Sequence, residues 1–253
     1  MTAAEPDRDV ELLRPADVLA ARWAQGTGPQ VAPPEAVILC HQAAPLGRAV
    51  GRWHARPIRG FQADVRLLRR TGERVGVATR FGVGAPATGA LVEELAAFGV
   101  RRFVSLGLAG GLTPSQHAGE LLVVDGALRE EGTSGHYLPP GPVVDGSAAL
   151  TDAVAHVFER QGRRHIRGLT STTDTPYRTT RADVDRWTRA GALAVEMEVA
   201  GLFAVARRRG VDAAAVCCIA DALGDRGWHL AFDGSAVAAA LRAAFQAVIE
   251  ALA

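Results

Sequence analysis

Two glutamates stand in an otherwise apolar stretch, the nine residues VEMEVAGLF at positions 195–203. Because a carboxylate is costly to bury without a polar partner, each side chain must either face water or bind something polar. We expect Glu196 to be a solvated or salt-bridged flank of the stretch. Glu198 opens an apolar helical pattern, so it either complements the helix dipole or holds a ligand. Asp221 follows a second apolar run and is either a turn or cap residue or a further functional carboxylate.

The hydrophobic pattern predicts elements that place these carboxylates at strand ends. Short apolar runs typical of buried strands occupy 35–40, 74–78, 102–106, 120–125, 165–169, 193–197 and 213–220. Helical patterns occupy 91–98, 148–159, 199–209 and 235–251, with a shorter amphipathic piece at 17–23, and loops are predicted at 132–146 and 171–178. Alternating strands and helices predict an α/β protein with a mostly parallel sheet. We predict one domain over 1–253, with 1–30 as an N-terminal extension.

Ligands bind beyond the carboxyl ends of the strands in sheets of this kind. If the strands are parallel, one edge collects the two carboxylates Glu198 and Asp221 and three tight turns. Two of the turns are glycine-rich, with Gly82 and Gly84 in one and Gly107, Gly110 and Gly111 in the other, and the third carries Thr173 and Asp174. Neither GVGAP nor GLAGG has the spacing of a dinucleotide-binding loop, and glycines at such turns can serve close packing alone. The pattern therefore predicts a pocket at this edge without identifying its occupant.

Composition excludes several classes of protein. All 28 basic residues among the 253 are arginine, which rules out a lysine Schiff base, a pyridoxal site and a Walker-type phosphate loop. The net charge of +1 gives no electrostatic case for a nucleic-acid or membrane partner. The three cysteines and seven histidines lack metal-ligand spacing, so we expect core thiols, core or surface imidazoles, and no metal. With no signal-peptide pattern and no apolar run near about 20 residues, we expect a cytoplasmic protein without a membrane span.

Four segments together resemble the nucleoside phosphorylase family, nearest its uridine phosphorylase branch. They are GVGAPATGALVEEL, RRFVSLGLAGGL, STTDTPYR and VEMEVAGLFAVARRRGV, and the resemblance runs in order from about Val37 to Ala222. It implies a three-layer α/β/α fold around a mixed, mostly parallel sheet. It also implies cleavage of the N-glycosidic bond of a ribonucleoside, by family default with phosphate as co-substrate and no cofactor, giving a free base and ribose 1-phosphate.

The resemblance also implies roles for individual residues. Met197 would pack under the ribose, and Glu198 would accept hydrogen bonds from its 2′- and 3′-hydroxyls, near the positive charge that develops on the sugar. Asp221 would protonate or hydrogen-bond the leaving base. Contacts with the base would come from Ala109, Gly110, Thr173, Pro176, Tyr177 and Arg178.

Phosphate would be bound by Arg48, Arg59 and the glycine turn at Gly84. In the family the second arginine comes from a neighbouring subunit, so the resemblance implies a homo-oligomer, either a hexamer or a dimer. The sequence departs from the family where an arginine and a hydroxyl residue bind phosphate, because Ser105 and Leu108 occupy those positions. Loss of one charged hydrogen-bond partner costs about 1.5–3 kcal/mol, which predicts weak phosphate binding.

Two alternatives remain open at this point. In a nucleoside hydrolase, Leu108 would exclude the anion and water would attack the sugar, although no suitable acidic residue is evident in VILCHQAAP. In a nucleoside-binding protein without catalysis, the ribose contacts would remain and Asp221 would have no role. The uracil-reading residues of the nearest branch are not matched, and Arg178 or Arg181 could substitute for them, so the base stays unassigned.

Overall fold

The computed structural model describes residues 11–113, 115–224, 227–229 and 234–253. Seven α-helices occur in these residues: α1 (Pro15–Ala24), α2 (Ala43–Arg52), α3 (Ala85–Phe98), α4 (Ala148–Arg160), α5 (Arg181–Arg189), α6 (Val199–Arg209) and α7 (Gly234–Leu252). The eleven described strands are β1 (Ala36–Cys40), β2 (Arg56–Ile58), β3 (Asp64–Leu67), β4 (Val75–Thr79), β5 (Arg102–Gly111), β6 (Leu121–Glu130), β7 (Val143–Asp145), β8 (Ile166–Thr173), β9 (Ala192–Glu196), β10 (Asp212–Gly224) and β11 (Gly227–His229). Short 3₁₀ turns lie at Arg69–Thr71, Ser134–His136 and Pro176–Arg178.

The described strands form one mixed sheet. Strands β4, β1, β5 and β10 are parallel neighbours, and β6, β8 and β9 form a second parallel group. Antiparallel pairing of β5 with β9 and of β10 with β6 joins the groups and closes a ring of five strands. The parallel ladders hold most of the paired residues, so the prediction of a mixed, mostly parallel sheet is confirmed.

Helices cover both faces of this sheet. Side chains of neighbouring strand residues point to opposite faces, so Val37 and Leu39 of β1 pack with α3 and α6, while Ile38 packs with α4 and α7. Helix α7 is the one described helix that is long and apolar enough to cross a membrane, with 19 residues and a mean hydropathy of 1.4. Its apolar face, which includes Leu241 and Phe245, is buried in the core. The predicted three-layer α/β/α arrangement is confirmed.

Some elements differ from the pattern-based prediction. The bounds of α6 agree with it, whereas β5, β6, β8 and β10 are longer, because pairing continues through residues that we expected to lie in loops. The predicted loop 132–146 contains β7, which pairs with β6. Helix α2, β2, β3, α5 and β11 were not predicted. For α5 a signal was present, since Thr180 and Asp183 form a reciprocal capping box at its start.

The first turns of α3 and α6 are in close contact. A β-carbon at Gly201 of α6 would lie 2.7 Å from Cβ of Ala85 and 3.1 Å from its Cα, so only glycine fits there. Because both helices begin at the edge of the sheet where the carboxylates were expected, this contact sets the spacing of two segments of the site.

We therefore expect Gly201→Ala to lower the free energy of unfolding by about 1–3 kcal/mol, because the added methyl group overpacks the helix contact. The matched control is Gly51→Ala in α2, where a β-carbon meets nothing within 4 Å. That control should be neutral or stabilising by up to about 1 kcal/mol, since alanine favours helix. Urea denaturation measures the free energy of unfolding of both variants. Equal changes in the two would show that the α3–α6 contact is not tight.

Candidate active site

Glu196 is a buried carboxylate that anchors the start of α6, so the expectation of a solvated flank was wrong. It ends β9 and is only 6% exposed. Its Oε2 accepts hydrogen bonds from the N–H groups of Glu198 at 2.6 Å and Val199 at 2.8 Å, and its Oε1 accepts from the Thr172 hydroxyl at 2.5 Å. The same hydroxyl oxygen accepts from the N–H of Ala200 at 2.9 Å. These bonds satisfy N–H groups that lack a partner within the helix.

The surroundings of Glu196 raise the pKa of its carboxyl group. Burial raises the pKa of this carboxyl well above its ordinary value, to about 8, and the charge of Glu198 acts in the same direction. The hydrogen bonds from Thr172 and from the backbone of Glu198 and Val199 act in the opposite direction without cancelling the effect. Folding therefore favours the protonated form of Glu196.

Glu198 is the N-cap residue of α6 and is also buried, with 8% exposure. Its Oε1 accepts a hydrogen bond from the N–H of Gly84 at 2.7 Å, and its Oε2 accepts from the N–H of Met197 at 3.3 Å. Gly84 has a φ of 91°, which favours glycine, and it is the N-cap of α3. In the part of the chain that the structure describes, no arginine forms an ion pair with Glu198. Its oxygens keep lone pairs for a polar ligand.

His41 lies opposite Glu198 and is a site residue that the sequence analysis missed. Its Nε2 is 3.0 Å from Oγ of Ser105, while its Nδ1 is 3.9 Å from Oε1 of Glu198 and has no hydrogen-bond partner among the described groups. Phe81 packs edge-on against the ring, with 5.0 Å between centroids. Burial lowers the pKa of His41, with the charge of Glu198 opposing it, so the imidazole is neutral at neutral pH. Its position directly after β1, at the predicted edge, was the one available signal.

Asp221 lies close to the strand that ends in Glu196. It pairs with Gly110 of β5 beside an irregularity in β10, and Gly110 pairs on its other side with Val195 of β9. A β-carbon on Gly110 would lie 3.0 Å from Oδ1 of Asp221, so the carboxylate lies against the backbone of β5. The structure thus places Asp221 on β10 and Glu198 just after β9, the two strands that flank the end of β5.

The predicted base contacts are divided between two places. Ala109 and Gly110 lie in β5 beside Asp221, and Thr173 is buried at the end of β8. The following 3₁₀ turn, Pro176–Arg178, is exposed, and the side chain of Tyr177 is fully so. No hydrogen bond or ion pair described for this turn reaches Glu198. Its role in binding a base stays a prediction.

The predicted phosphate contacts are also separated. Arg48 belongs to α2, and its side chain lies outside the described part of the structure. Arg59 follows β2 at the sheet edge, is exposed, and is separated from β5 by β3, β4 and β1. Ser105 is buried and bonded to His41, and Leu108 packs against the core beneath α7. Among the predicted phosphate groups whose side chains or backbone the structure describes, only Gly84 contacts Glu198.

Comparison with known proteins agrees with this fold. The family model described as Phosphorylase superfamily matches residues 52–253, so the chain belongs to that superfamily. The solved structure of uridine phosphorylase from Vibrio fischeri ES114 superposes with a TM-score of 0.75 at 26% identity, covering 88% of this chain and 92% of that one.

Curated relatives match over shorter segments. The guanosine phosphorylase of Halorubrum lacusprofundi is 37% identical over 54% of this chain and 57% of its own length. The uridine phosphorylase of Thermococcus kodakarensis is 32% identical over 59% of this chain and 60% of its own length. The chain therefore spans less than two thirds of the length of these relatives, one of which is named for a purine nucleoside and the other for a pyrimidine nucleoside.

The pKa of Glu196 generates a prediction about stability. Since this pKa is higher in the folded chain than the ordinary 4.5, its stabilising contribution is complete below pH 4.5 and is lost as the pH rises through about 8. We expect the free energy of unfolding of the wild type to fall across this range, and less so for Glu196→Gln, which cannot ionise. Urea denaturation at several pH values measures this. Equal slopes for both proteins would contradict the assignment.

Proposed function

We propose that this protein cleaves the N-glycosidic bond of a ribonucleoside, with phosphate as acceptor, to give a free base and ribose 1-phosphate. The observation that carries the proposal is the buried carboxylate of Glu198. It is held by two backbone N–H groups, has spare acceptor capacity and lacks an ion-pair arginine among the described residues. A buried carboxylate of this kind suits a neutral ligand with hydroxyl donors, which a ribose supplies.

The geometry supports different roles for the carboxylates of Glu198 and Asp221. Glu198 accepts hydrogen bonds from ribose hydroxyls, and its charge stabilises the positive charge that develops on the sugar as the bond to the base breaks. Met197, half-buried beside it, packs under the sugar. Asp221, against β5, protonates or hydrogen-bonds the leaving base. The names of the relatives support both purine and pyrimidine nucleosides, so the proposal covers ribonucleosides as a class.

The acceptor site in this proposal is weak. Arg48, Arg59 and the backbone at Gly84 bind phosphate, while Ser105 and Leu108 supply neither charge nor a free hydroxyl at β5. We propose millimolar affinity for phosphate, about −4 kcal/mol at 1 mM. The reaction needs no cofactor or metal, and we place it in the cytoplasm.

The central test is replacement of Glu198. Glu198→Gln keeps an oxygen for the N–H of Gly84 but removes the charge beside the sugar, so kcat should fall at least about 100-fold at an unchanged melting temperature. The matched control is Glu250→Gln, the same chemical change on the exposed face of α7. Activity is followed on uridine, guanosine, inosine and adenosine. Near-wild-type turnover by the Glu198 variant would remove this residue from the site.

Product identity, measured with and without phosphate, tests the acceptor. We expect ribose 1-phosphate to form at a rate that rises with phosphate through the millimolar range. Free ribose formed at one rate in both conditions would contradict phosphorolysis and favour attack by water.

Assembly is tested through Arg59. Its exposure at the sheet edge, away from Glu198, supports a homo-oligomer, hexamer or dimer, in which Arg59 enters a neighbouring site. Arg59→Ala should raise the KM for phosphate at least tenfold, whereas Arg101→Ala, which changes an exposed arginine just before β5, should not. Light scattering reports the mass. A monomer with full activity would contradict this part of the proposal.

A further inference from the structure

His41 carries a buried polar atom that finds no hydrogen-bond partner in the part of the chain that the structure describes. The side chain is 6% exposed, and its ring is fixed on one side by Ser105 and on another by Phe81. Nδ1 alone has no hydrogen-bond partner among the described groups. Buried polar atoms are almost always paired in native proteins, so an orphaned ring nitrogen that faces the site indicates a ligand.

The neighbouring carboxylate determines which ring nitrogen carries the proton. The neutral imidazole has one N–H, on either Nδ1 or Nε2. Nδ1 faces Oε1 of Glu198 at 3.9 Å, so a lone pair there would repel the carboxylate, whereas an N–H is attracted to it. We assign the proton to Nδ1, and the Ser105 hydroxyl then donates to Nε2 across 3.0 Å.

Nδ1 and Glu198 are too far apart for a hydrogen bond but well placed to share one atom. An oxygen about 2.8 Å from each would close a triangle on the 3.9 Å separation with an angle of about 90° at that oxygen. Nδ1–H is a donor and the carboxylate is an acceptor. The shared group must therefore accept one hydrogen bond and donate another, as a hydroxyl does.

We propose that His41 and Glu198 together bind one ribose hydroxyl of the nucleoside, and that His41 thereby selects ribonucleosides over the deoxynucleoside that lacks this hydroxyl. The identity of the sugar rests on the proposed function. Absence of the hydroxyl leaves the buried N–H of His41 without an acceptor and takes one donor from the Glu198 carboxylate, and a site whose buried polar group is left unpaired discriminates strongly against the missing group.

The test compares kcat/KM of one ribonucleoside with those of its 2′-deoxy and 3′-deoxy analogues at saturating phosphate. His41→Phe keeps a ring against Phe81 but has no donor. It should lower kcat/KM for the ribonucleoside at least tenfold and change that of one deoxy analogue less than twofold. His41→Asn restores an N–H near the position of Nδ1 and should recover part of the preference. Ser105→Ala, which frees the ring, should weaken the same preference by a smaller factor.

Two results would overturn the proposal. One is an equal loss of kcat/KM for the ribonucleoside and both deoxy analogues, which would indicate that His41 has a structural role. The other is a rise in the KM for phosphate with an unchanged ribose preference, which would place His41 at the acceptor. Melting temperatures identify variants that fail to fold; if His41→Phe does, the Asn and Ser105 variants decide the outcome.

Failure of the proposed function gives a different result. If the wild type cleaves none of the nucleosides, calorimetric titration with guanosine, uridine and their deoxy analogues, without phosphate, measures the same selectivity through binding. Ribose-selective binding that depends on His41 would then support this inference while the proposed function fails. Binding that ignores both the hydroxyl and His41 would overturn it.

Discussion

The rest of the site depends on the hydrogen bonds that the buried carboxyl group of Glu196 accepts. This group joins the end of β9, the end of β8 through Thr172, and the first turn of α6. A buried donor left without its acceptor costs about 1–3 kcal/mol, so loss of the Glu196 side chain would leave the start of α6 unsatisfied. As a result α6 begins at one defined residue, and Glu198 is held at its N-cap.

Glu198 extends this arrangement to a second helix. Its carboxylate accepts the N–H of Gly84, which is the N-cap of α3, while Glu198 is itself the N-cap of α6. Two helix N-termini therefore direct their positive ends to one carboxylate, which explains how the charge is tolerated in the interior without an ion-pair arginine among the described residues. The close contact of Gly201 with Ala85 keeps these helix ends together. The site is thus positioned by backbone groups, whose geometry the fold determines.

The sequence predicted the architecture better than the partners of individual side chains. Local periodicity located α6 and the core strands, and the rule for strand ends brought Glu198, Gly84 and Asp221 to one region. It could not show that Glu196 meets Thr172, because that partner lies 24 residues away and is set by the β8–β9 register. Helix α2 was not predicted because its sequence, AAPLGRAVGR, contains a proline and two glycines, which weaken a helical pattern. Tyr177 and Arg178 were assigned by resemblance alone, because an exposed turn carries no local pattern that predicts what it binds.

Ser105 stands where the family has a phosphate-binding arginine, and this difference affects how phosphate could be bound. The sequence alone indicated only that a phosphate-binding arginine is missing from β5, whereas the structure shows the hydroxyl engaged by the ring of His41. A phosphate charge about 4 Å from the Glu198 carboxylate is repelled by about 4 kcal/mol at an effective dielectric constant of 20. Nothing described on β5 offsets that repulsion. In the proposed reaction the compensation comes from the helix N-termini and Arg48 and, in the proposed oligomer, from a neighbouring subunit's arginine.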